Sequence, residues 1–183
     1  VGDSVRSNMA LVQRNAEVGA DIAIAICKQR QQTQGHQVAQ ARKDIPRSRV
    51  IVVGGTVLDI MAKPLPGQEL LLETSNPATC TESDGGVGRN IAEVLGRLGS
   101  NPLFYSSVGN DARGLGLLSR LVEDCGVQAP RSTVQVVDDA NSATYLAVYN
   151  GKGDLHTACA DMTVLDHIQS PSIDVLEDAE IIV

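Results

Sequence analysis

Residues 81–99, TESDGGVGRNIAEVLGRLG, have the residue types of a turn that binds a small polar ligand. Gly85, Gly86 and Gly88 fall within four positions, and Asn90 follows at the start of a segment with apolar periodicity. Glycines let backbone N–H groups approach a ligand without interference from a Cβ atom. The Asn90 amide both donates and accepts hydrogen bonds, which suits the hydroxyl groups of a sugar.

Two common phosphate-binding patterns do not fit this loop. The dinucleotide fingerprint needs G-x-G-x-x-G directly after the first strand, where this chain has GGTVLD. The Walker pattern ends in Gly-Lys-Ser/Thr, whereas this loop has Gly88-Arg89-Asn90. The residue types therefore favour a neutral turn that binds hydroxyl groups over a loop that cradles a phosphate.

Asp59 is a second candidate for contact with hydroxyl groups. It lies four residues after Gly55, where the first predicted strand is stopped by glycines. A carboxylate at this point can accept hydrogen bonds from two neighbouring hydroxyls of a ribose. Two plainer roles stay open: Asp59 as a turn or cap residue, and Asn90 as an ordinary polar residue at a helix N-terminus.

Alternating strands and helices are predicted to position these residues. The β-branched run at 50–55 predicts a buried strand, and a helix follows the glycine loop. Its predicted core face is Ile91, Val94, Leu95 and Leu98, with Gly99 as its stop. A second helix has Asp111 as its N-cap, Gly126 as its stop and a core face of Leu117, Leu118, Leu121 and Val122.

Further strands are predicted at six places along the chain. They are residues 69–74, 102–109, 132–137, 143–149, 155–159 and 181–183. Strands that alternate with helices indicate an α/β sheet. The clustered strands within 57–83 and 132–159 suggest that some of them form a separate side sheet or lid.

The composition argues against two classes of partner. Of the 183 residues, 43% are hydrophobic and 2% aromatic, so the core must consist of Val, Leu, Ile and Ala. The net charge of −7 argues against a nucleic-acid surface. The longest apolar run, residues 18–27, contains Asp21 and is too short to span a bilayer. We therefore expect neither a nucleic-acid nor a membrane partner.

The cysteine pattern favours free thiols over metal ligands. The four cysteines, at 27, 80, 125 and 159, include no C-x-x-C pair, and the three histidines are scattered. Neither a zinc site nor a disulfide framework is expected. Free thiols indicate a reducing compartment, with the cytoplasm as the first expectation. Organelle targeting stays open because the sequence begins at Val1 rather than Met.

The N-terminal residues are predicted to contain a long helix and a linker. Apolar residues between 4 and 28 recur at alternating steps of four and three, which predicts one helix. A free coiled coil is the alternative, but the apolar surface is wider than a coiled-coil seam. Residues 29–48 contain six glutamines and predict a flexible basic linker, with a basic binding patch as the alternative.

Three segments resemble the PfkB (ribokinase-like) carbohydrate kinases: VVGGTVLDI, DGGVGRNIAEVLGRLG and VGNDARG. The resemblance covers residues 49–183, as the N-terminal half of such a domain. It implies an α/β fold with a mostly parallel sheet flanked by helices and a small β lid over the sugar. By this resemblance Asp59, Gly85, Gly86 and Asn90 bind the sugar, whereas Asp111 and Gly114 are structural.

The chain departs from the family pattern in one respect. Family members carry a second, Gly-Ala-Gly-Asp type signature, whose Asp is the catalytic base and whose amides form the anion hole. This sequence contains nothing like it. The fold is therefore expected to be incomplete at the C-terminus, with no catalytic base, anion hole or metal ligand in these residues. The resemblance implies ATP and Mg²⁺ as cofactors, bound mostly elsewhere.

The segment SVRSNMALVQRNAEVGADIAIAI resembles the C-terminal part of pseudouridine-5′-phosphate glycosidases. In that family the first of two asparagines contributes to the active site, and it matches Asn8. The alternative is that Asn8 and Asn15, one heptad apart, form the polar edge of a helix. The catalytic lysine and the acid that binds a divalent metal such as Mn²⁺ would lie upstream of Val1. Residues 1–28 are thus predicted to end a glycosidase domain.

This order of segments implies a bifunctional enzyme of pseudouridine breakdown. One activity phosphorylates the 5′-hydroxyl of pseudouridine, and the other splits pseudouridine 5′-phosphate into uracil and ribose 5-phosphate. Residues 142–162 also resemble the pseudouridine kinase branch more than ribokinase. The alternatives are a PfkB kinase for another sugar or nucleoside, and an inactive sugar-binding or structural fragment. The chain alone is expected to be inactive, and a homo-oligomer stays open.

Overall fold

The computed structural model describes residues 45, 46 and 48–183. The predicted helix at 4–28, Asn8 and nearly all of the predicted linker at 29–48 lie outside the described residues.

Single strands and runs of three strands are separated by helices along the described chain. In chain order the elements are β1 (Val50–Val53), β2 (Val57–Pro64), β3 (Ala78–Gly85), α1 (Val87–Arg97), β4 (Leu103–Gly109), α2 (Ala112–Cys125), β5 (Val134–Val137), β6 (Thr144–Tyr149), β7 (Leu155–Asp161), a 3₁₀ helix (Thr163–His167), α3 (Ile173–Glu177) and β8 (Ile181–Ile182). No helix in this part of the chain is long and apolar enough to cross a membrane.

The main sheet is parallel throughout and has the strand order β5-β4-β1-β8. One face packs Val52 and Phe104 against the first two helices. The other face packs Ile51, Leu103 and Tyr105 against the residues around α3. Because both faces are covered, β1 is a continuous apolar run, and every residue of β4 is buried. The two polar residues of β4, Ser106 and Ser107, have hydrogen-bond partners in the core. This matches the predicted mostly parallel α/β sheet.

A second sheet forms the lid, with the order β3-β2-β6-β7. Its central strands β2 and β6 are parallel, whereas β3 and β7 pair with them in antiparallel fashion. β2 starts four residues after β1 ends, so the chain leaves the main sheet and enters the lid at Gly54 and Gly55. The prediction of a separate β lid is confirmed.

Helix α1 contacts the core through small residues, which corrects the predicted core face. Its buried positions include Gly88, Ala92 and Gly96. A Cβ on Gly96 would lie 2.2 Å from the carbonyl oxygen of Cys125, so the two helices approach closely. Ile91 and Leu95 pack against the core as predicted. Val94 and Leu98 are 57% and 75% exposed, and their assignment to the core was wrong.

Helix α2 begins and ends where the sequence predicts. The Asp111 side chain caps it by accepting a hydrogen bond from the Gly114 amide, and Gly126 ends it with φ +69°. Leu117 and Leu121 are fully buried. The assignment of Val122 to the core was wrong, because this side chain is 42% exposed.

The strand predicted at residues 69–74 is absent, and this prediction was wrong. The β2–β3 ladder ends at the pair Pro64–Ala78, so residues 65–77 form the connection of the hairpin. Within it the Asn76 side chain bonds both backbone groups of Leu71, in place of a neighbouring strand. The other predicted strands are present, with bounds that differ by no more than two residues.

Candidate functional site

Asp59 lies on β2 and faces Gly85 at the end of β3. The pair Val57–Gly85 in the ladder puts Asp59 and Gly85 on the same face of the lid sheet. A Cβ atom on Gly85 would lie only 2.1 Å from Oδ2 of Asp59. The missing side chain at position 85 is therefore what leaves room for the carboxylate.

The Asp59 carboxylate is half-buried and has no compensating partner. Burial raises its pKa from the ordinary value of 3.8. Nothing in the described part of the chain donates a hydrogen bond to it or pairs with its charge. Desolvation without a compensating donor disfavours the charged form, which is the cause of the raised pKa. Such a carboxylate beside a glycine-rich loop is a candidate binding group, because a ligand can supply the missing donors.

The glycine loop is held against the turn between β1 and β2. Gly86 has φ +96°, and a Cβ there would lie 2.4 Å from the carbonyl oxygen of Gly55. That same oxygen accepts a hydrogen bond from the Arg89 amide at 3.1 Å. Only glycine fits position 86, since both the backbone conformation and the close approach exclude a side chain.

Asn90 lies in the first turn of α1 and has an exposed side chain. Its backbone N–H donates to the Gly86 carbonyl oxygen at 2.9 Å. Its side-chain Oδ1 accepts from Nη1 of Arg89 at 3.1 Å. The structure thus brings Asp59, Gly85 and Gly86 together and places Asn90 one helical turn beyond the loop. Their contact with a sugar stays a prediction.

Behind the loop lies an ion-pair network that sequence reasoning did not single out. Arg89 is buried and pairs with Asp84 and with Glu93. Arg120 donates two hydrogen bonds to Asp84, at 2.9 and 2.8 Å, and Arg97 donates one to Glu93 at 2.8 Å. The spacing of four between the charged residues on α1 was a readable signal. The pairing of Asp84 with Arg120 could not be read from the sequence, because it joins two distant segments.

The network lowers the pKa values of its two acids. The hydrogen bond from Arg120 is the main cause for Asp84, and the neighbouring Arg89 adds to it. The hydrogen bond from Arg97 is the main cause for Glu93. Both acids therefore stay ionised at neutral pH, and the buried Arg89 keeps two charged partners. A buried cation needs such partners, because an uncompensated one is strongly destabilising.

Asp111 has the structural role that the sequence predicts. Its Oδ1 accepts from the Gly114 amide at 2.8 Å and from the Ser142 hydroxyl at 2.9 Å, and its Oδ2 accepts from the Ser142 amide at 2.8 Å. Burial alone would raise the pKa of Asp111, but these hydrogen bonds together lower it. A cleft of about 540 Å³ opens beside these residues. Their polar groups already bond one another, so we assign no ligand to it.

The described residues do not include a cluster suited to a metal ion. No group of three or more His, Cys, Asp or Glu side chains converges in residues 45, 46 and 48–183. Within the same residues Cys80, Cys125 and Cys159 are free thiols, and only Cys125 is buried.

The parallel sheet, the β lid and the helices that flank the sheet define a ribokinase-like α/β fold. The chain belongs to the pfkB family of carbohydrate kinases, whose sequence model matches residues 47–182.

Three relatives give the family context. The chain is 31% identical over 132 residues to the guanosine-inosine kinase of Exiguobacterium acetylicum and 30% identical over 119 residues to the pseudouridine kinase of Escherichia coli. These matches cover 72% and 65% of this chain, but only 39% and 36% of the two relatives. A pseudouridine-metabolizing bifunctional protein of Schizosaccharomyces pombe is 24% identical, over 99% of this chain and 28% of its own length.

Solved structures show the same fold. The ribokinase of Arabidopsis thaliana, solved with ribose and ATP, superposes with a TM-score of 0.60 at 20% identity. The match covers 75% of this chain and 45% of that one. At this identity the likeness bears on the fold alone.

Proposed function

We propose that this chain carries the sugar-binding part of a pseudouridine kinase. The half-buried, unpartnered carboxylate of Asp59 against Gly85 is the observation that carries the proposal. The 30% identity to a pseudouridine kinase supports the choice of nucleoside.

In this proposal the side chains of Asp59 and Asn90 both bind the ribose. The Asp59 carboxylate accepts hydrogen bonds from two neighbouring hydroxyls, and these offset the desolvation that raises its pKa. Asn90 adds its amide from the start of α1. Gly85 leaves room for the Asp59 carboxylate, and Gly86 lets the loop pack against Gly55. The lid strands cover the bound sugar and exclude water, which strengthens each of these hydrogen bonds.

ATP with Mg²⁺ would supply the phosphoryl group. The described residues offer no convergent set of acidic side chains for a metal ion, and the sequence has no Gly-Ala-Gly-Asp signature. We therefore assign no nucleotide or metal contact to residues 45, 46 and 48–183. The transferred group is usually stabilised by an anion hole and positioned against a base. We accordingly propose that the 183-residue chain does not phosphorylate pseudouridine by itself.

A fusion to a glycosidase is the second part of the proposal. The pfkB model starts matching at residue 47, yet the match to the bifunctional protein covers 99% of this chain. Similarity to that protein therefore extends through most of residues 1–46. We propose that residues 1–28, with Asn8, end a glycosidase domain that uses a divalent metal such as Mn²⁺. Residues 29–48 would then be a linker, and residues 49–183 the first half of the kinase domain.

The guanosine-inosine kinase supports a second candidate, a kinase for a purine nucleoside. Its identity to this chain, 31%, is as high as that of the pseudouridine kinase. Both candidates use the same ribose contacts, so they differ only in the base that is accepted. A homo-oligomer is compatible with either.

Isothermal titration of the full-length gene product with nucleosides distinguishes these candidates. We expect pseudouridine to bind more tightly than inosine, guanosine or free ribose, and Asp59→Asn to weaken all of them. Preference for inosine would favour the purine candidate. Unchanged nucleoside affinity in a folded Asp59→Asn variant would contradict the sugar site itself. For the isolated chain, sustained ATP-dependent phosphorylation of pseudouridine would contradict the proposed division of the catalytic residues.

A further inference from the structure

Arg89 is more deeply buried than its ion pairs require. Its side chain is 6% exposed, and it directly precedes Asn90. Its Nε is buried without a hydrogen-bond partner in the described part of the chain. An unsatisfied buried donor costs stability, and ion pairs on a helix surface need no such burial. This arrangement points to a role beyond pairing with Asp84 and Glu93.

The contact between Arg89 and Asn90 defines which way the amide points. Nη1 of Arg89 lies 3.1 Å from the Asn90 oxygen. A guanidinium group has only N–H donors, so the Asn90 atom that faces it must be the carbonyl oxygen. The NH₂ group of Asn90 then points away from Arg89, and no described residue accepts a hydrogen bond from it.

We infer that Arg89 is a positioning residue that holds the Asn90 amide in one orientation, so that Asn90 meets the substrate only as a hydrogen-bond donor. The inference rests on the proposed sugar site. Asp59 can only accept while it is ionised, and Asn90 can then only donate. Hydroxyl groups satisfy both, because each has a proton to give and an oxygen that accepts. An ammonium group facing Asn90 would meet a second donor, so amino-substituted sugars are disfavoured there.

The flanking ion pairs make Arg89→Met a practical test. Without Arg89, Asp84 keeps its two hydrogen bonds from Arg120, and Glu93 keeps the one from Arg97. Neither acid is left uncompensated, so we expect the variant to fold. Arg97→Met is the matched control, since it makes the same change on the same helix and also removes a partner of Glu93. Arg97 makes no hydrogen bond to Asn90.

The first experiment needs no ligand. Side-chain amide ¹⁵N relaxation is measured on the 183-residue chain, with the Asn90 signal assigned by its loss in Asn90→Ser. We expect an ordered Asn90 NH₂ group in the wild type and in Arg97→Met, and a mobile one in Arg89→Met. An Asn90 amide that stays equally ordered in Arg89→Met would overturn the inference.

The second experiment separates positioning from a general structural effect. Pseudouridine affinity of the full-length gene product is measured for Arg89→Met with Asn90 present and with Asn90→Ala. If Arg89 fixes one neutral hydrogen bond from Asn90, Arg89→Met should weaken pseudouridine affinity about three- to tenfold with Asn90 present. In the Asn90→Ala background the same change should weaken affinity less than about twofold. Equal losses in both backgrounds would refute positioning. If the wild type binds no nucleoside, the proposed function fails, while the relaxation experiment still decides the role of Arg89.

Discussion

Replacing Gly85 with alanine should disable the proposed sugar site by steric means alone. The added Cβ would lie 2.1 Å from Oδ2 and 2.5 Å from Cγ of Asp59. Ordinary contact begins near 3.4 Å, so the carboxylate must retreat by about 1.3 Å. Gly85 does not have a positive φ, and its backbone therefore accepts alanine. The Asp59 side chain is short and half-buried, and rotation about its χ1 angle is the easiest relief.

In the proposed site, the displaced carboxylate would lose at least one of its two hydrogen bonds to the ribose. A hydrogen bond to a charged group contributes about 1.5–3 kcal/mol, and each 1.4 kcal/mol is about tenfold in affinity. We therefore expect Gly85→Ala to weaken pseudouridine binding about tenfold to a hundredfold. The melting temperature should change little, because the side chain can move aside. Isothermal titration and thermal melting of the full-length gene product measure the two effects.

Two further variants serve as controls for this prediction. In an Asp59→Ala background the clash disappears, so Gly85→Ala should have almost no additional effect on affinity. Gly86→Ala should instead lower the melting temperature markedly, because its φ is +96° and its nearest obstacle is a backbone oxygen. Normal pseudouridine affinity in a folded Gly85→Ala variant would refute the assignment of Asp59 to the sugar.

Three other substitutions test the same structure. Asp59→Asn should raise the melting temperature at pH 7, because the raised pKa of Asp59 means that its charge destabilises the fold. This gain in melting temperature should vanish as the pH falls towards 3.8, the pKa of Asp59 in the unfolded chain. A gain that persists at that pH would contradict the electrostatic cause. Asp111→Ala should lower the free energy of unfolding in urea by about 1–3 kcal/mol, because the helix loses its cap and the Ser142 amide loses its partner. Nucleoside affinity of the folded protein should stay normal. Weakened affinity would instead place Asp111 in the site. Gly96→Ala should lower the free energy of unfolding in urea by about 1–3 kcal/mol, because the added Cβ would meet a backbone oxygen of α2. An unchanged free energy of unfolding would show that the two helices can separate freely.

Local signals in the sequence were sufficient for the elements that position the site. The β-branched run ending at Gly55, the Asp111 cap and the Gly126 stop each depend on residues close together in the chain, and each is confirmed. The neighbourhood of Asp59 and Gly85 was predicted only through the family resemblance. Their contact depends on the β2–β3 register, which a single sequence does not specify across a connection of thirteen residues, 65–77.

Apolar periodicity failed where small residues make the contact. In α1 the pattern selected Val94 and Leu98, but close approach of the backbones requires the side with Gly88, Ala92 and Gly96. Residue types also misled at 69–74, where Leu71 and Leu72 lie exposed in a hairpin connection. The partner of Asp84 was beyond prediction, because Arg120 reaches it from a different helix.

The parallel pairing of β2 with β6 has a consequence for the order of folding. Leu58 pairs with Thr144, and the intervening chain includes β4, α2 and β5 of the main sheet. Pairings between segments far apart in sequence form slowly, because loop-closure entropy is lost before the contacts compensate for it. During synthesis β2 and β3 can form a hairpin early, but β2 must wait for β6 to emerge from the ribosome. Until then the strand that carries Asp59 has an open edge, and such an edge is a template for pairing with other molecules.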